Sequence, residues 1–467
     1  MIDLGLARIG RLLQHGPPPV WRAIQVSGTN GKGSVCAYLS AMLHARGIPS
    51  ARFTSPHIVD RWDCIVVNER IVAEAPFRAA EQAVLQRDRD EQIGATEFEL
   101  LTATAFELFD AKLPKSSPSA LAVIECGLGG GSDATSAMRA DRAVTVITRI
   151  GLDHQGLLGN TVAEIATHKA GIMRPGVPCV VDPANCDDPD VRSVLEARAR
   201  EVGATLVYPE ATLLLNASRG SASDITHTSS ADQLQKLEPH QLSNLACAYA
   251  AFRIATGQDG SADAKSTVDT AFLASVLQKL RWPGRLQKVD VGPLLRSVIS
   301  SVESIPALLD GAHNAQSADV LGAYVDKHLR GEGDSKKPIT WILAASHGKD
   351  LGEILRPLLR AEDRVAAVTF GAVDGMPWVQ PAAPQTILDG ATALGVNATT
   401  NQYTLTHASK EGRPRHDPQS LVSALQWATS AESGNTGGPI VIAGSLYLVS
   451  DTLRMLQKAG GETGLPL

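Results

Sequence analysis

Short apolar runs alternate along the chain with longer stretches of helical periodicity, and the alternation starts twice. In the first series, Trp21 to Ser27 predicts a strand, a Gly-rich turn follows, and Ser34 to Arg46 predicts a helix. Ala120 to Glu125 and Ala143 to Thr148 are short apolar runs, as strands buried in a parallel sheet should be. Thr161 to Ile172 predicts a helix with a visible start, because Thr161 and Glu164 have capping-box spacing, and Pro175-Gly176 ends that region. A second series begins near residue 290, with buried strands predicted at Pro306–Asp310, Pro338–Ala344, Arg364–Phe370 and Pro439–Gly444. Two βα series predict two α/β domains, each with a mainly parallel sheet. The pattern restarts after Trp282-Pro283-Gly284-Arg285, so the domains are expected over residues 1–288 and 289–467. Polar, low-complexity stretches at 216–232, 257–267, 330–337 and 430–438 read as surface loops or insertions. Apolar positions 2, 4, 6, 9, 12 and 13 predict a short amphipathic helix at the start and not a signal peptide.

Composition narrows the classes of function. The 467 residues are 44% hydrophobic and 20% charged, ordinary for a globular protein of more than one core. A net charge of −6 supplies no general basic field, so no nucleic-acid partner is indicated. Six scattered cysteines without a CxxC pair argue against a disulfide framework or zinc site and for a reducing compartment. No apolar run approaches the roughly 18 residues that span a bilayer, so no membrane association is expected and the cytoplasm is the expected location.

Three places carry candidate chemistry. After the strand-like run Ala23-Ile24-Gln25-Val26 comes Ser27-Gly28-Thr29-Asn30-Gly31-Lys32-Gly33-Ser34. Its glycines let successive backbone amides turn around an anion, and the helix behind adds its positive end. Lys32 would serve the terminal phosphates and Ser34 a Mg²⁺ ion, although the wording departs from the common G-x-x-x-x-G-K-[ST] loop. Glu125 ends an apolar strand where the ligand crevice of an open α/β sheet lies, a natural place for a Mg²⁺ ligand or for a capping or paired carboxylate. His154 stands beyond the next strand end and becomes a metal candidate beside Glu125. Lys169, near the end of the helix capped by Thr161, reads by itself as a favourable charge at a helix C-terminus.

Taken in order, GTNGKGS at 28–34, TSPH at 54–57, ECGLGGGSDAT at 125–135, LDHQGLLGNTVAEIATHKAGI at 152–172, HQLSN at 240–244, WPGRLQ at 282–287, LDGAHN at 309–314 and GSLYLV at 444–449 resemble the Mur ligase superfamily. Within it they resemble the folylpolyglutamate synthase/dihydrofolate synthase family, over nearly the whole chain. The resemblance implies a Mur-ligase-like P-loop ATPase domain with a parallel sheet, followed by a smaller Rossmann-like C-terminal α/β domain. It implies that residues 28–34 hold the ATP phosphates, with Lys32 also catalytic, and that Asn244 contacts the adenine side. Ser55, Glu125 and His154 match Mg²⁺ ligands, and Lys169 matches a lysine that family members carbamylate to bind a second Mg²⁺. Arg285 matches an arginine that reaches the phosphates, and Asp310 and His313 match residues that reach the nucleotide from the smaller domain. The nucleotide would then lie between the domains of a monomer.

The implied reaction activates a carboxylate as an acyl phosphate and joins it to an amine. Several departures bear on the acceptor. Trp62-Asp63-Cys64-Ile65 stands where polyglutamate-extending members carry an Arg-containing segment, Gly131-Ser132-Asp133 lacks a usual Arg, and the loop reads GTNGKGS where eukaryotic polyglutamate-adding members show GTKGKGS. Asp153-His154-Gln155 and His168-Lys169-Ala170-Gly171-Ile172 look closer to the fungal dihydrofolate synthase type, and together these differences favour a folate-making role that uses 7,8-dihydropteroate, L-glutamate and ATP. The alternatives are a folylpolyglutamate synthase or bifunctional enzyme acting on tetrahydrofolate and, from another class, a non-catalytic nucleotide-binding module.

Overall fold

Each βα series closes into its own sheet in the computed structural model, which describes residues 4–115, 119–220, 233–258, 268–296, 304–331, 336–396, 418–429 and 438–465. The polar stretches at 216–232, 257–267, 330–337 and 430–438 lie largely outside the described residues. The chain divides into two compact units. The first comprises the described residues of Met1–His57 and Trp62–Arg281, and the second those of Ile58–Arg61 and Trp282–Leu465. Residues 282–288, assigned to the first domain by sequence, thus lie in the second unit. The cause is visible at Gln287–Asp290, which forms an edge strand of the second sheet.

The strands of the first unit are β1 (Arg22–Ser27), β2 (Ser50–Phe53), β3 (Ile65–Val67), β4 (Arg70–Ile71), β5 (Leu121–Glu125), β6 (Arg142–Ile147), β7 (Cys179–Val181) and β8 (Leu206–Val207). They form one sheet in the order β4-β3-β2-β5-β1-β6-β7-β8. Along the sheet from β2 through β5, β1, β6 and β7 to β8 all pairings are parallel, and at the other edge β3 runs antiparallel to both β2 and β4. Residues of β1, β2 and β5 are buried on both faces apart from Arg22, and most are apolar, with Gln25, Ser27, Ser50, Arg52 and Glu125 as the buried polar exceptions. The helices that matter for the site are α1 (Ala7–Leu12), α2 (Lys32–Ala45), α3 (Glu74–Asp90), α4 (Glu97–Lys112), α5 (Gln155–Leu158), α6 (Val162–Ala170) and α7 (Pro189–Val202). The start of α6 carries the capping box read from the sequence: the Thr161 hydroxyl accepts from the Glu164 amide, and Glu164 accepts from the Thr161 amide. In α1, Ile9 and Leu12 are fully buried, as the predicted amphipathic pattern requires.

The strands of the second unit are β9 (Gln287–Asp290), β10 (Pro306–Leu309), β11 (Thr340–Leu343), β12 (Arg364–Ala367) and β13 (Ile440–Ala443), in the order β12-β11-β13-β10-β9. β10 to β13 are parallel, and β9 runs antiparallel along β10. A buried carboxylate locks this unit. Asp363 accepts Arg330 Nη1 and Nη2 at 2.5 Å each, the Ile339 amide at 2.9 Å, Trp341 Nε1 at 2.9 Å and the Arg360 amide at 3.0 Å.

Candidate active site

In the first unit, β1 pairs with β5 so that Val26 faces Glu125, and with β6 so that Ser27 faces Ile147. Three adjacent parallel strands therefore end together. Chain direction diverges here, since β1 leads by way of α2 to β2 on one side while β5 leads across to β6 on the other. Such a switch point opens a ligand crevice beyond the strand ends.

The loop after β1 is built by contacts that only glycine allows at two positions. Gly28 and Gly31 have φ values of 146° and 91°. A Cβ on Gly28 would come within 1.9 Å of Thr148 Oγ1, and one on Gly31 within 2.3 Å of Asn244 Oδ1. Asn244 is thereby brought directly against the loop. Its helix is held there by the neighbouring Ser243 hydroxyl, which donates to Asp182 Oδ1 at 3.1 Å. The amides of Thr29 and Asn30 both donate to the Arg149 carbonyl, at 2.9 and 3.1 Å. The Thr29 hydroxyl donates to the Gly151 carbonyl at 3.0 Å and accepts from the Gly151 amide at 3.1 Å. The first half of the loop is thus anchored to the segment after β6, and it does not turn its amides inward as the sequence suggested. The amides left to meet an anion are those opening α2, where the N-cap is Gly31 and no side chain caps the helix. Gly33 and Ser34 lie in that first turn and are half-buried. Lys32 curls over the loop, with Nζ donating to the Thr29 carbonyl at 3.1 Å.

Lys169 belongs to the same cluster. Its Nζ donates to the Gly28 carbonyl at 2.7 Å, and the residue is 4% exposed. Burial, reinforced by the Lys32 charge, pulls its pKa down to about 7. Three glycines bring it this close. A Cβ on Gly130 would meet the His168 carbonyl oxygen at 2.6 Å and that of Lys169 at 2.8 Å, and Gly131 and Gly171 touch backbone to backbone. The Gly131 amide donates to the His168 carbonyl at 3.1 Å.

Glu125, at the tip of β5, is 5% exposed, and its Oε2 accepts the Ser55 amide at 3.3 Å. His154 is the N-cap of α5, with φ of 53° and a side chain 47% exposed; its Nε2 lies 3.9 Å from Asp153 Oδ2. Among the described residues, no three His, Cys, Asp or Glu side chains converge as a protein-only metal cage. That donor set still fits Mg²⁺ beside a nucleotide, because Mg²⁺ is held there by one or two protein oxygens together with phosphates and water.

Residues missed by sequence reading hold these parts in place. Asn185 donates through Nδ2 to the Thr148 carbonyl at 3.1 Å and accepts the Ile150 amide at 2.8 Å. Asp133 accepts the amides of Leu128 (2.7 Å) and Thr135 (2.9 Å), fixing the turn after Glu125. Asp133 falls inside a recognisable motif, whereas nothing in the sequence singles out Asn185.

The second unit gathers Arg285, Asp310 and His313. Arg285 Nη1 donates to the Gly284 carbonyl at 2.9 Å and lies against Gly311, where a Cβ would come within 2.5 Å of it. Asp310 is buried at the end of β10. Its oxygens accept the Leu286 amide at 2.7 Å and the Ala312 amide at 2.8 Å, so its side chain shapes the turn that presents its neighbours. Burial raises the Asp310 carboxyl above its ordinary value, while Arg285 pulls it back. His313 is half-buried, with Nδ1 at 2.9 Å from the Gly311 carbonyl.

A phosphate loop at a switch point, flanked by two lysines and a buried carboxylate, defines the first unit as a P-loop nucleotide-binding α/β domain. The family model described as dihydrofolate synthetase, C-terminal domain, matches residues 295–455. The dihydrofolate synthetase of Saccharomyces cerevisiae is 34% identical over 464 residues, covering 97% of this chain and 98% of that protein. The probable folylpolyglutamate synthase of the same organism is 27% identical over 464 residues, covering 96% of each. The fold matches that of a bifunctional folylpolyglutamate synthase/dihydrofolate synthase solved with Mn, AMPPNP and L-glutamate bound, with a TM-score of 0.68 at 22% identity over 98% of this chain and 95% of that one. The chain belongs to the folylpolyglutamate synthase/dihydrofolate synthase family.

Proposed function

We infer that this protein is a dihydrofolate synthase. It transfers the γ-phosphoryl group of ATP to the carboxylate of 7,8-dihydropteroate, and the amino group of L-glutamate then displaces phosphate to give dihydrofolate, ADP and phosphate. The observation that carries the reading is the full-length similarity to a yeast dihydrofolate synthetase, at 34% identity against 27% for the folylpolyglutamate synthase of the same organism.

The chemistry asks for what the site residues can supply. A carboxylate is a poor electrophile because oxide is a poor leaving group; an acyl phosphate carries a good one. The amides at the start of α2 and the Lys32 ammonium would bind the phosphates, with Asn244 on the adenine side. Glu125 and Ser55, with His154, would hold Mg²⁺, which when bound neutralises charge on the transferring phosphoryl group. Arg285 and His313 of the second unit would add positive and hydrogen-bonding groups to the nucleotide, and Asp310 would keep their turn in shape. Lys169, with a pKa near 7, holds a large neutral fraction at physiological pH. A neutral amine can add to CO2, forming the N–C bond and releasing a proton to water; the resulting carbamate would be an oxygen ligand for a second Mg²⁺.

Purified protein supplied with ATP and labelled glutamate, and with dihydropteroate or tetrahydrofolate in separate reactions, tests the reading. Labelled product and phosphate are expected with dihydropteroate only. Product only from tetrahydrofolate would reassign the acceptor, and no phosphate release with either would refute a ligase.

A further inference from the structure

Gln25 is a fully buried polar residue that the reaction described above does not use. It lies in β1, two residues before Ser27 and on the same face of the strand. Such a side chain costs stability unless its amide is bonded at both ends. Its partners fix the direction of each bond. Arg142 Nε, which can only donate, meets Gln25 Oε1 at 3.4 Å. The Nε2 end therefore donates, to Ser136 Oγ at 2.9 Å and more distantly to Thr135 Oγ1 at 3.4 Å and Cys126 Sγ at 3.5 Å. Both hydroxyls pass their own protons onward, Ser136 to the Gly130 carbonyl at 2.6 Å and Thr135 to Asp133 Oδ1 at 2.6 Å.

The Gly130 carbonyl belongs to the turn that seats Lys169. Gly130 lies directly against the backbone of His168 and Lys169. Lys169 Nζ in turn donates to the carbonyl of Gly28, the residue after Ser27. Ser27 Oγ donates to the Gly129 carbonyl at 2.7 Å. Two side chains of β1 thus reach successive carbonyls of the turn, Ser27 directly and Gln25 by way of Ser136. The other donor to the Gly130 carbonyl is the Asp133 amide at 3.1 Å, a bond internal to the turn that moves with it. The strand that places the acceptor of the Lys169 ammonium therefore also places the backbone on which Lys169 rests.

We propose that Gln25 is a positioning residue for Lys169, acting through the Ser136 hydroxyl on the Gly130 carbonyl. This deepens the functional reading and rests on Lys169 taking part in the reaction. The direction of the chain of bonds is what matters. Two oxygens 2.6 Å apart attract only while a proton lies between them. A carboxylate in place of the Gln25 amide, paired with Arg142, would accept from Ser136 and draw that proton away. The hydroxyl and carbonyl oxygens would then face each other lone pair to lone pair, and the turn would shift. An apolar side chain of the same length would leave the Ser136 proton on Gly130.

The test uses the full chain, with steady-state ligation, thermal unfolding, and hydrogen exchange by mass spectrometry on the nucleotide-free protein. Gln25→Glu should lower kcat about tenfold, the scale of a shift of about half an ångström at a reacting centre. KM for ATP should be unchanged, because Thr29 and Asn30 anchor the phosphate loop to the Arg149 carbonyl and not to this turn. The peptide over residues 129–133 contains the Gly131 amide bonded to the His168 carbonyl, and it should exchange about tenfold faster while α7 exchanges as in the parent. Gln25→Met should keep kcat within about twofold, since the bond to Gly130 survives. In a Ser136→Ala background the harm of Gln25→Glu should disappear, because no hydroxyl is left to reverse; a merely structural role for Gln25 would leave the harm undiminished. Ser136→Ala by itself should lower kcat about threefold and, with the same exchange measurement, serves if Gln25→Glu does not fold. Parental kcat in Gln25→Glu, an equal loss in the Ser136→Ala background, or unchanged exchange over residues 129–133 each overturns the proposal. Lys169→Ala separates the two levels. If it is inactive while Gln25→Glu is fully active, the proposal alone fails; if Lys169→Ala keeps full activity, the reading of Lys169 fails and the proposal falls with it.

Discussion

Replacing Gly130 by alanine tests the architecture of the site without touching any polar group. The added Cβ would lie 2.6 Å from the His168 carbonyl oxygen, 2.8 Å from that of Lys169 and 2.9 Å from the Lys169 Cα. All three are backbone atoms at the end of α6, so no flexible side chain can swing away. An ordinary contact needs about 3.4 Å, so the end of α6 must retreat by about 0.8 Å. Lys169 Nζ now stands 2.7 Å from the Gly28 carbonyl. A retreat of that size along the contact takes it to about 3.5 Å, beyond a useful hydrogen bond. Overpacking of this kind costs about 1–3 kcal/mol of stability, and a displacement near 1 Å at a reacting centre costs on the order of a hundredfold in rate. Gly130→Ala should therefore lower kcat for dihydropteroate ligation by about a hundredfold while leaving a folded protein by circular dichroism. Gly10→Ala is the matched control: it lies in α1 with nothing within 4 Å of its Cβ, and it should keep full activity with a stability gain of about 0.5–1 kcal/mol. A Gly130→Ala enzyme with kcat within threefold of the parent would refute the argument that these glycines seat Lys169.

Three further outcomes are expected. Asp363→Ala strands the buried Arg330 guanidinium, Ile339 amide and Trp341 indole, and should destabilise the second unit by about 3–5 kcal/mol in urea unfolding; a loss under 1 kcal/mol would contradict it. Lys169→Ala should nearly abolish ligation with the fold intact, and short carboxylic acids should restore part of it; full activity would remove Lys169 from the mechanism. The third outcome concerns pH, in bicarbonate-free buffer. The folded Lys169 loses its proton near pH 7, whereas the unfolded side chain keeps it to about pH 10.4. Between those values the unfolded chain binds more protons, so stability rises with pH by up to about 1.4 kcal/mol per unit, and the cost of the buried charge is present in full below pH 7. Lys169→Met should flatten that rise between pH 7 and 9, and identical slopes in the two proteins would refute it.

Part of the fold was legible because several central strands are mostly apolar and α6 has a marked start. β1, β5 and β6 fall within a residue or two of the predicted runs, and the capping box at Thr161 fixes α6. The four parallel strands of the second unit are one to three residues shorter than predicted, because the predicted runs took in flanking residues at one or both ends that lie outside the ladder. The edges were not legible. β9 reads Gln-Lys-Val-Asp with only Val289 buried, and β3–β4 is a short hairpin whose register depends on positive φ at Asn68 and Glu69. Edge strands bury too little for periodicity to mark them. At the site, residue types and order pointed to phosphate, but the direction of the amides did not follow from the glycines. Whether Thr29 and Asn30 face an anion or the Arg149 carbonyl depends on a chain segment about 120 residues away, which no local pattern encodes.

Lys169 is where sequence and geometry part most usefully. By position it is a cation in the last turn of a helix, a role that asks only for proximity to free carbonyls and is best filled in water. The structure puts its ammonium elsewhere. It reaches 141 residues back to the Gly28 carbonyl, at 4% exposure and close enough to Lys32 to feel its charge. A helix-end charge gains nothing from such burial, since desolvation and a like charge both work against it. Three glycines, two in the turn after Glu125 and one after the lysine, are required before the backbone can approach closely enough to hold it there. A fold that keeps an amine in a place that lowers its pKa to about 7, at the mouth of a phosphate loop, has made it partly neutral at physiological pH. Neutrality is of no use to a helix terminus or an ion pair. It is what a nitrogen needs to form a bond.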